Sequence, residues 1–242
     1  MRLAIVSDIH GNLIALDAVI ADIDRRGVER VVQGGDLAFA GWQPAEVLDR
    51  VRELGWPGIV GNTDEMLWRH EALAEWAARA PKLGPLLRPA FETQASATRM
   101  LLGEERIAWM RGLPAEHRDG DVALVHAAPH DLWRAPMPDD RDADLLKTYA
   151  ALDAALVVYG HIHRPFVRDL GSLTVANSGS VGAPYDGDPR ASYLLVDDGC
   201  AEVIRVAYDV EREIEGLLRS GYPDAERVAE TRRLGEYIAI RG

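Results

Sequence analysis

Five short apolar runs in this chain each end in a cluster of Gly, Asp, Asn or His, and that recurrence constrains the fold more than any other feature. Leu3-Ala4-Ile5-Val6 runs into Ser7-Asp8-Ile9-His10-Gly11-Asn12, and Val31-Val32 leads to Gly34-Gly35-Asp36. Gly58-Ile59-Val60 ends at Gly61-Asn62-Thr63-Asp64, Val122 to Val125 is followed by His126, and Ala155 to Tyr159 by Gly160-His161-Ile162-His163. Short apolar runs bounded by such residues read as strands. Leu13 to Ile23 and Ala45 to Leu54 have apolar residues at helical spacing and lie between the first three runs. Strand, helix and strand with short connections imply a parallel sheet with right-handed crossovers. Sheets of this kind bind ligands beyond the carboxyl ends of their strands, so the five polar clusters are predisposed to meet. The glycines permit tight turns and close backbone approach.

Between Thr63 and Gly112 the pattern changes. Trp68, Leu73, Trp76, Leu83, Leu87, Leu101, Ile107 and Trp109 recur at helical spacing, without strand-like alternation. Pro81, Pro85 and Pro89 are expected to divide this stretch into several short helices. Residues 63–112 therefore read as a helical insertion within a single domain spanning 1–242. Its tryptophans are either core or a lid that shapes a pocket. Strand character returns at Phe166 to Asp169, Leu173 to Ala176, Tyr193 to Val196 and Val203 to Ala207. Two helices, Val210 to Ser220 and Asp224 to Ile238, close the chain.

Composition removes several function classes. The longest apolar runs are far too short to span a bilayer, so no membrane partner is expected. A carboxylate at residue 8 interrupts the apolar stretch that a secretory signal needs. Cys200 is the only cysteine, which excludes an internal disulfide and a thiolate-rich zinc site and makes a cytoplasmic setting the default. The net charge of −12, from 39 acidic and 27 basic residues, opposes binding to long nucleic acids. It leaves room for a small phosphorylated substrate, because bound cations reverse the local field.

The polar clusters together offer two carboxylates, one amide and four imidazoles, an oxygen and nitrogen set suited to Mn, Fe, Co, Ni or Zn. Seven donors exceed what one small transition ion takes. With one carboxylate shared they suit two ions, leaving positions for water and substrate. Alone, Asp8-x-His10 is an ordinary turn, Asp36 a helix cap, Asn62 a turn residue and His126 a partly buried histidine. In order they are far more specific.

Asp-x-His, Gly-Asp, Gly-Asn-x-Asp, a lone His after a strand and Gly-His-x-His resemble the signature of the calcineurin-like metallophosphoesterases. The match runs from Asp8 to His163. The later segments Asn177 to Gly182 and Asp186 to Tyr193 resemble a small prokaryotic branch of that superfamily. The resemblance implies a four-layer αββα sandwich, two sheets packed face to face under outer helices. It implies that Asp8, His10 and His163 bind one divalent ion, with Mn first among the candidates. Asn62, His126 and His161 would bind a second, and Asp36 would bridge the two. The implied reaction is hydrolysis of a phosphate ester by hydroxide made available near neutral pH by the cations, with Asp36, Asn62 and His126 at its centre.

One position departs from the family pattern. Where many members have His after the motif Asn, this chain has Thr63, and a neutral hydroxyl is a poor general acid. The loss disfavours monoesters with poor alkoxide leaving groups. Phosphodiesters or nucleotide phosphoanhydrides are therefore expected ahead of a general phosphomonoesterase. His130 reads as a substitute acid or a surface-loop histidine. Arg164 and Arg190 read as phosphate contacts or structural ion pairs, and Asn12 as a substrate contact or a helix cap. The competing class is a non-catalytic scaffold on the same fold, as in the retromer subunit that resembles these enzymes. The complete donor set argues against it.

Overall fold

The computed structural model describes residues 2–240. In chain order the elements are β1 (Arg2–Val6), α1 (Leu13–Arg25), β2 (Arg30–Gln33), α2 (Pro44–Glu53), α3 (Asn62–Glu65), α4 (Glu71–Arg79) and α5 (Gly84–Arg111). They continue with β3 (Glu116–Asp119), β4 (Val122–Val125), α6 (Asp142–Tyr149), β5 (Leu156–Tyr159), β6 (Phe166–Asp169) and β7 (Thr174–Asn177). β8 (Ala191–Asp197), β9 (Cys200–Val206), α7 (Val210–Ser220) and α8 (Ala225–Leu234) complete the chain.

The strands form two sheets, in the orders β2-β1-β8-β9 and β3-β4-β5-β7-β6. β1 pairs with β2, and β5 with both β4 and β7, in parallel, while the other pairings are antiparallel. Both sheets are therefore mixed.

Two-residue periodicity explains the continuous apolar strands, because each face is buried against a different layer. Leu3 and Ile5 of β1 join Leu124, Leu156, Val158 and Leu194 in the core between the sheets. Ala4 and Val6 turn outward against Leu16 and Val19 of α1 and Val47 and Leu48 of α2. On the second sheet Val157 and Tyr159 face outward with Leu145 and Tyr149 of α6. Three cores in series give the four layers that the resemblance implied.

Three element expectations need correction. Gly58 to Val60 is not a strand; it makes one parallel bridge from Gly58 to Gln33, after which the Val60 amide turns away to the Pro114 carbonyl at 2.9 Å. Pro85 and Pro89 do not break the insertion, since both lie inside α5. Pro85 occupies the first turn, where its missing N–H had no intrahelical partner to lose. The interruption falls instead at Gly103, whose φ of 70° and ψ of 165° suit glycine alone. The last helix ends at Leu234, not Ile238, because Gly235 turns left-handed at φ 65°.

Candidate metal centre and its pocket

The polar clusters follow the carboxyl ends of β1, β2, β4 and β5, and backbone hydrogen bonds draw these loops together. The amides of Asp8 and His10 donate to the carbonyls of Gly35 and Asp36 at 3.0 Å, and Gly160 N–H donates to the His126 carbonyl at 3.0 Å. Gly35 and Gly61 allow the approach. A Cβ on Gly35 would sit 2.5 Å from the Gly61 nitrogen, and one on Gly61 would collide with Asp36 Oδ1.

Asp8, His10, Asp36 and His163 are buried, with one donor atom from each within 4.8 Å of the others. His10 Nε2 and His163 Nε2 lie 3.1 Å apart, and His163 Nε2 lies 3.1 Å from Asp8 Oδ1. The far nitrogen of each ring decides their chemistry. His10 Nδ1 is 2.8 Å from the Phe39 carbonyl oxygen, and His163 Nδ1 is 2.5 Å from that of Ala183. A carbonyl only accepts, so each ring sets Nδ1–H on its carbonyl and turns Nε2 inward. Two Nε2 atoms and a carboxylate converging in a buried site suit a cation, which would displace any proton between them.

A second group adjoins the first. Asn62 Oδ1 is 2.9 Å from both His126 Nε2 and His161 Nδ1. His126 Nδ1 faces the Gly34 carbonyl at 2.8 Å, which sets its tautomer in the same way. Asp36 lies between the groups, with Oδ1 3.5 Å from His126 Nε2 and Oδ2 3.7 Å from His10 Nε2.

Electrostatics keep most of these donors ready. Burial favours the neutral carboxyl at Asp8 and Asp36, but the neighbouring imidazoles, chiefly His163 and His126 respectively, hold both below the usual carboxylate range. Burial, with the charge of a neighbouring imidazole, pushes His10 and His161 down to about 4, leaving both neutral and able to bind a cation at physiological pH. Burial opposes charge on His126 too, but Asp36 outweighs it and raises His126 to about 10. A cation between them would displace that proton.

All seven expected donor residues thus meet. The tentative contacts fare differently. Asn12 is engaged as the α1 cap, accepting from Ala15 N–H at 2.9 Å while its amide faces the Gly182 carbonyl at 3.3 Å. His130 is exposed and lines a separate cleft with Glu65 and Arg69. Arg164 is exposed and donates to the Tyr185 carbonyl at 3.1 Å, outside the metal pocket. Arg190 forms an ion pair with Asp188 at 2.6 Å. Trp68, Trp76 and Trp109 pack on the core and line no part of the pocket, which meets the insertion at Thr63, Phe91 and Gln94.

Three residues outside the donor set support it: Asp64, the last residue of the Gly-Asn-x-Asp motif, and Ser7 and Arg232, to which the sequence assigned no role. Asp64 accepts from the amides of Asp36, Leu37 and Gly61 at 2.8, 3.0 and 3.1 Å, stitching two donor loops together. Burial and the nearby Asp36 push its carboxyl up to about 7. Ser7 Oγ donates to Asp8 Oδ2 at 2.5 Å. From the far end of the chain, Arg232 donates to the carbonyls of His10 and Ala40 at 3.1 and 2.9 Å.

With this geometry established, similarity to known proteins decides the family. A family model described as the calcineurin-like phosphoesterase superfamily domain matches residues 1–198. The chain belongs to that superfamily. It is 30% identical to protein MJ0912 of Methanocaldococcus jannaschii, over 92% of this chain and 94% of that one. It is 27% identical to phosphodiesterase YfcE of Escherichia coli strain K12, over 84% of this chain and 91% of YfcE. A solved metallophosphoesterase from Sphaerobacter thermophilus superposes with a TM-score of 0.77 at 26% identity, covering 97% of this chain and 99% of its own. The chain is accordingly a metal-dependent phosphoesterase, and the family and the buried Asp/His cluster together point to divalent metal ions. Among the described residues no helix is long and apolar enough to cross a membrane.

Proposed function

We propose that this metallophosphoesterase holds two divalent cations, Mn²⁺ foremost, and cleaves small phosphodiesters or nucleotide phosphoanhydrides in preference to alkyl monoesters. Asp8, His10 and His163 would hold one cation; Asn62, His126 and His161 would hold the other; Asp36 would serve both. The supporting observation is the ring arrangement: three rings set Nδ1 against the carbonyls of Phe39, Gly34 and Ala183 and turn Nε2, the atom that would bind a cation, toward the two carboxylates. When bound, the cations supply Lewis-acid charge for the phosphoryl oxygens and lower the pKa of water.

The chain's own residues fix the geometry. The carbonyls hold ring tautomers, Ser7 and the His161 amide donate to Asp8, and the Thr63 amide donates to Asp36 Oδ1 at 2.9 Å. Such orientation is a large share of phosphoryl-transfer catalysis. The insertion, residues 63–112, then acts as one wall of the substrate pocket through Phe91 and Gln94.

Preference for diesters rests on Thr63. Its side chain lines the pocket, and its buried hydroxyl makes no hydrogen bond. A threonine hydroxyl has no pKa near neutrality with which to protonate a departing alkoxide. The wild type is expected to hydrolyse bis(p-nitrophenyl) phosphate with Mn²⁺ at a kcat/KM at least ~100-fold above that for glycerol 2-phosphate, the lower end of what a general acid contributes. Thr63→His should narrow that ratio. A wild-type preference for the alkyl monoester would overturn the reading.

A further inference from the structure

The stretch after β7, residues 180–185, supplies none of the seven donors, yet its hydrogen bonds converge on two of them. Ser180 Oγ donates to the Asp8 carbonyl at 2.6 Å and accepts from Ala183 N–H at 2.7 Å. The amides of Val181 and Gly182 donate to the carbonyls of Ser7 and Asp8, both at 3.0 Å. A Cβ on Gly182 would collide with the Ile9 carbonyl, so glycine is what lets the stretch run this close to the Asp8 loop. Three residues later the same stretch holds His163. The Ala183 carbonyl faces His163 Nδ1 at 2.5 Å, and Tyr185 N–H donates to the His163 carbonyl at 3.1 Å. Among the described residues no hydrogen bond from this stretch reaches Asn62, His126 or His161.

The Tyr185 side chain adds a contact of another kind. Its ring stacks on the His163 imidazole, with centroids 4.3 Å apart and planes inclined by 23°. The other ring contacts of the donor imidazoles join donors to each other, His10 to His163 and His126 to His161. Tyr185 is thus the one residue outside the donor set, among those described, whose ring meets a donor ring. Tyr237 meets Tyr185 in turn, edge-on at 5.6 Å. His163 has a left-handed φ of 56°, a conformation that persists only under restraint from its surroundings. The restraint here comes from one stretch of chain, which holds His163 at Nδ1, at its carbonyl and on its ring. The stack also discriminates between states of the imidazole. With a cation on Nε2 the ring is electron-poor, and the electron-rich face of a phenol attracts such a ring more strongly than a neutral one.

We propose that Tyr185 is a positioning residue for His163 and that it sets the affinity of one cation alone, the one held by Asp8, His10 and His163. The proposal rests on the two-cation reading and adds to it a support that acts on one of the two sites.

The test is calorimetric titration of metal-free protein with Mn²⁺, comparing wild type with Tyr185→Phe, Tyr185→Leu and His163→Ala. Tyr185→Leu is expected to weaken one of the two binding steps by roughly 10–100-fold, the range for a lost partner of a metal ligand, and to leave the other unchanged. The weakened step should be the one that His163→Ala abolishes. Tyr185→Phe keeps the stacked ring and should bind as the wild type does. Equal weakening of both steps in Tyr185→Leu, or weakening of the step that His163→Ala spares, overturns the proposal. So does a loss in Tyr185→Phe as large as that in Tyr185→Leu. A fall in Tm with neither step changed marks a purely structural residue and overturns it as well. If the wild type does not take up two equivalents, the two-cation reading is overturned instead. The hold on His163 is then read without metal from its ring proton–nitrogen resonances, expected to be sharp in wild type and Tyr185→Phe and broadened in Tyr185→Leu. No difference among the three proteins overturns the positioning role.

Discussion

Asp8, His10, Asp36, His161 and His163 all have φ between 51° and 66°, a region that residues with a Cβ enter at a cost. Such strain, of order 1–3 kcal/mol per residue, persists only where surrounding bonds over-determine it. At Asp36 that restraint comes from Asp64, which accepts from the amides of Asp36, Leu37 and Gly61. Asp64→Ala removes all three hydrogen bonds without touching either sheet. It is expected to weaken Mn²⁺ binding by roughly 10–100-fold, the range for a lost supporting partner, as read by calorimetry, with the far-ultraviolet spectrum of the fold retained. Unchanged affinity would show that the loops hold their shape without it. The identities of the donors were legible in the sequence because metal chemistry restricts them to a few side chains in a few spacings. Their left-handed backbone was not. Only the adjacent Gly11, Gly35 and Gly160 hinted at it, and nothing local announced that Arg232 would clasp the His10 carbonyl.

At the level of elements, helices and strands with strong periodicity, such as α1, β1 and β5, could be read directly, since each buries a defined face. Pro85 misled because a proline in the first turn of a helix costs little, and Pro89 lies inside α5 without ending it, whereas Gly103, unremarkable in sequence, interrupts α5. α7 carries a less visible conflict. Glu213 is fully buried with one oxygen accepting from Trp42 Nε1 at 2.9 Å and the other unpartnered. Burial raises its carboxyl above the ordinary 4.5. A raised folded-state pKa means that its contribution to stability is complete below the unfolded value and is lost as pH rises through the folded one. Glu213→Gln keeps an acceptor for Trp42 and removes the charge. The variant's Tm relative to wild type should therefore increase from pH 4.5 to pH 7.5, by roughly 2–4 °C for each kcal/mol relieved. A difference constant with pH would mean that Glu213 does not ionise in the folded protein over this range.

For the molecule as a whole, the two sheets act as a frame that delivers the ends of β1 and β2 from one side and β4 and β5 from the other. The ordered signature made that convergence legible, because every donor but Asn62 follows a strand. The rest of the pocket around these donors was not legible, because its far walls come from α5 and α8, which are remote in sequence. A net charge of −12 and a buried cluster of imidazoles and carboxylates favour cations, whose charge would in turn favour phosphate. The most direct test is to strip the protein with chelator and restore Mn²⁺ in measured equivalents while following hydrolysis of bis(p-nitrophenyl) phosphate. Turnover is expected to be absent in the stripped protein and to saturate at about two equivalents per chain, the number that seven donors with one shared carboxylate accommodate. Saturation at one equivalent, or full turnover without metal, would contradict the shared role given to Asp36 and the account built on it.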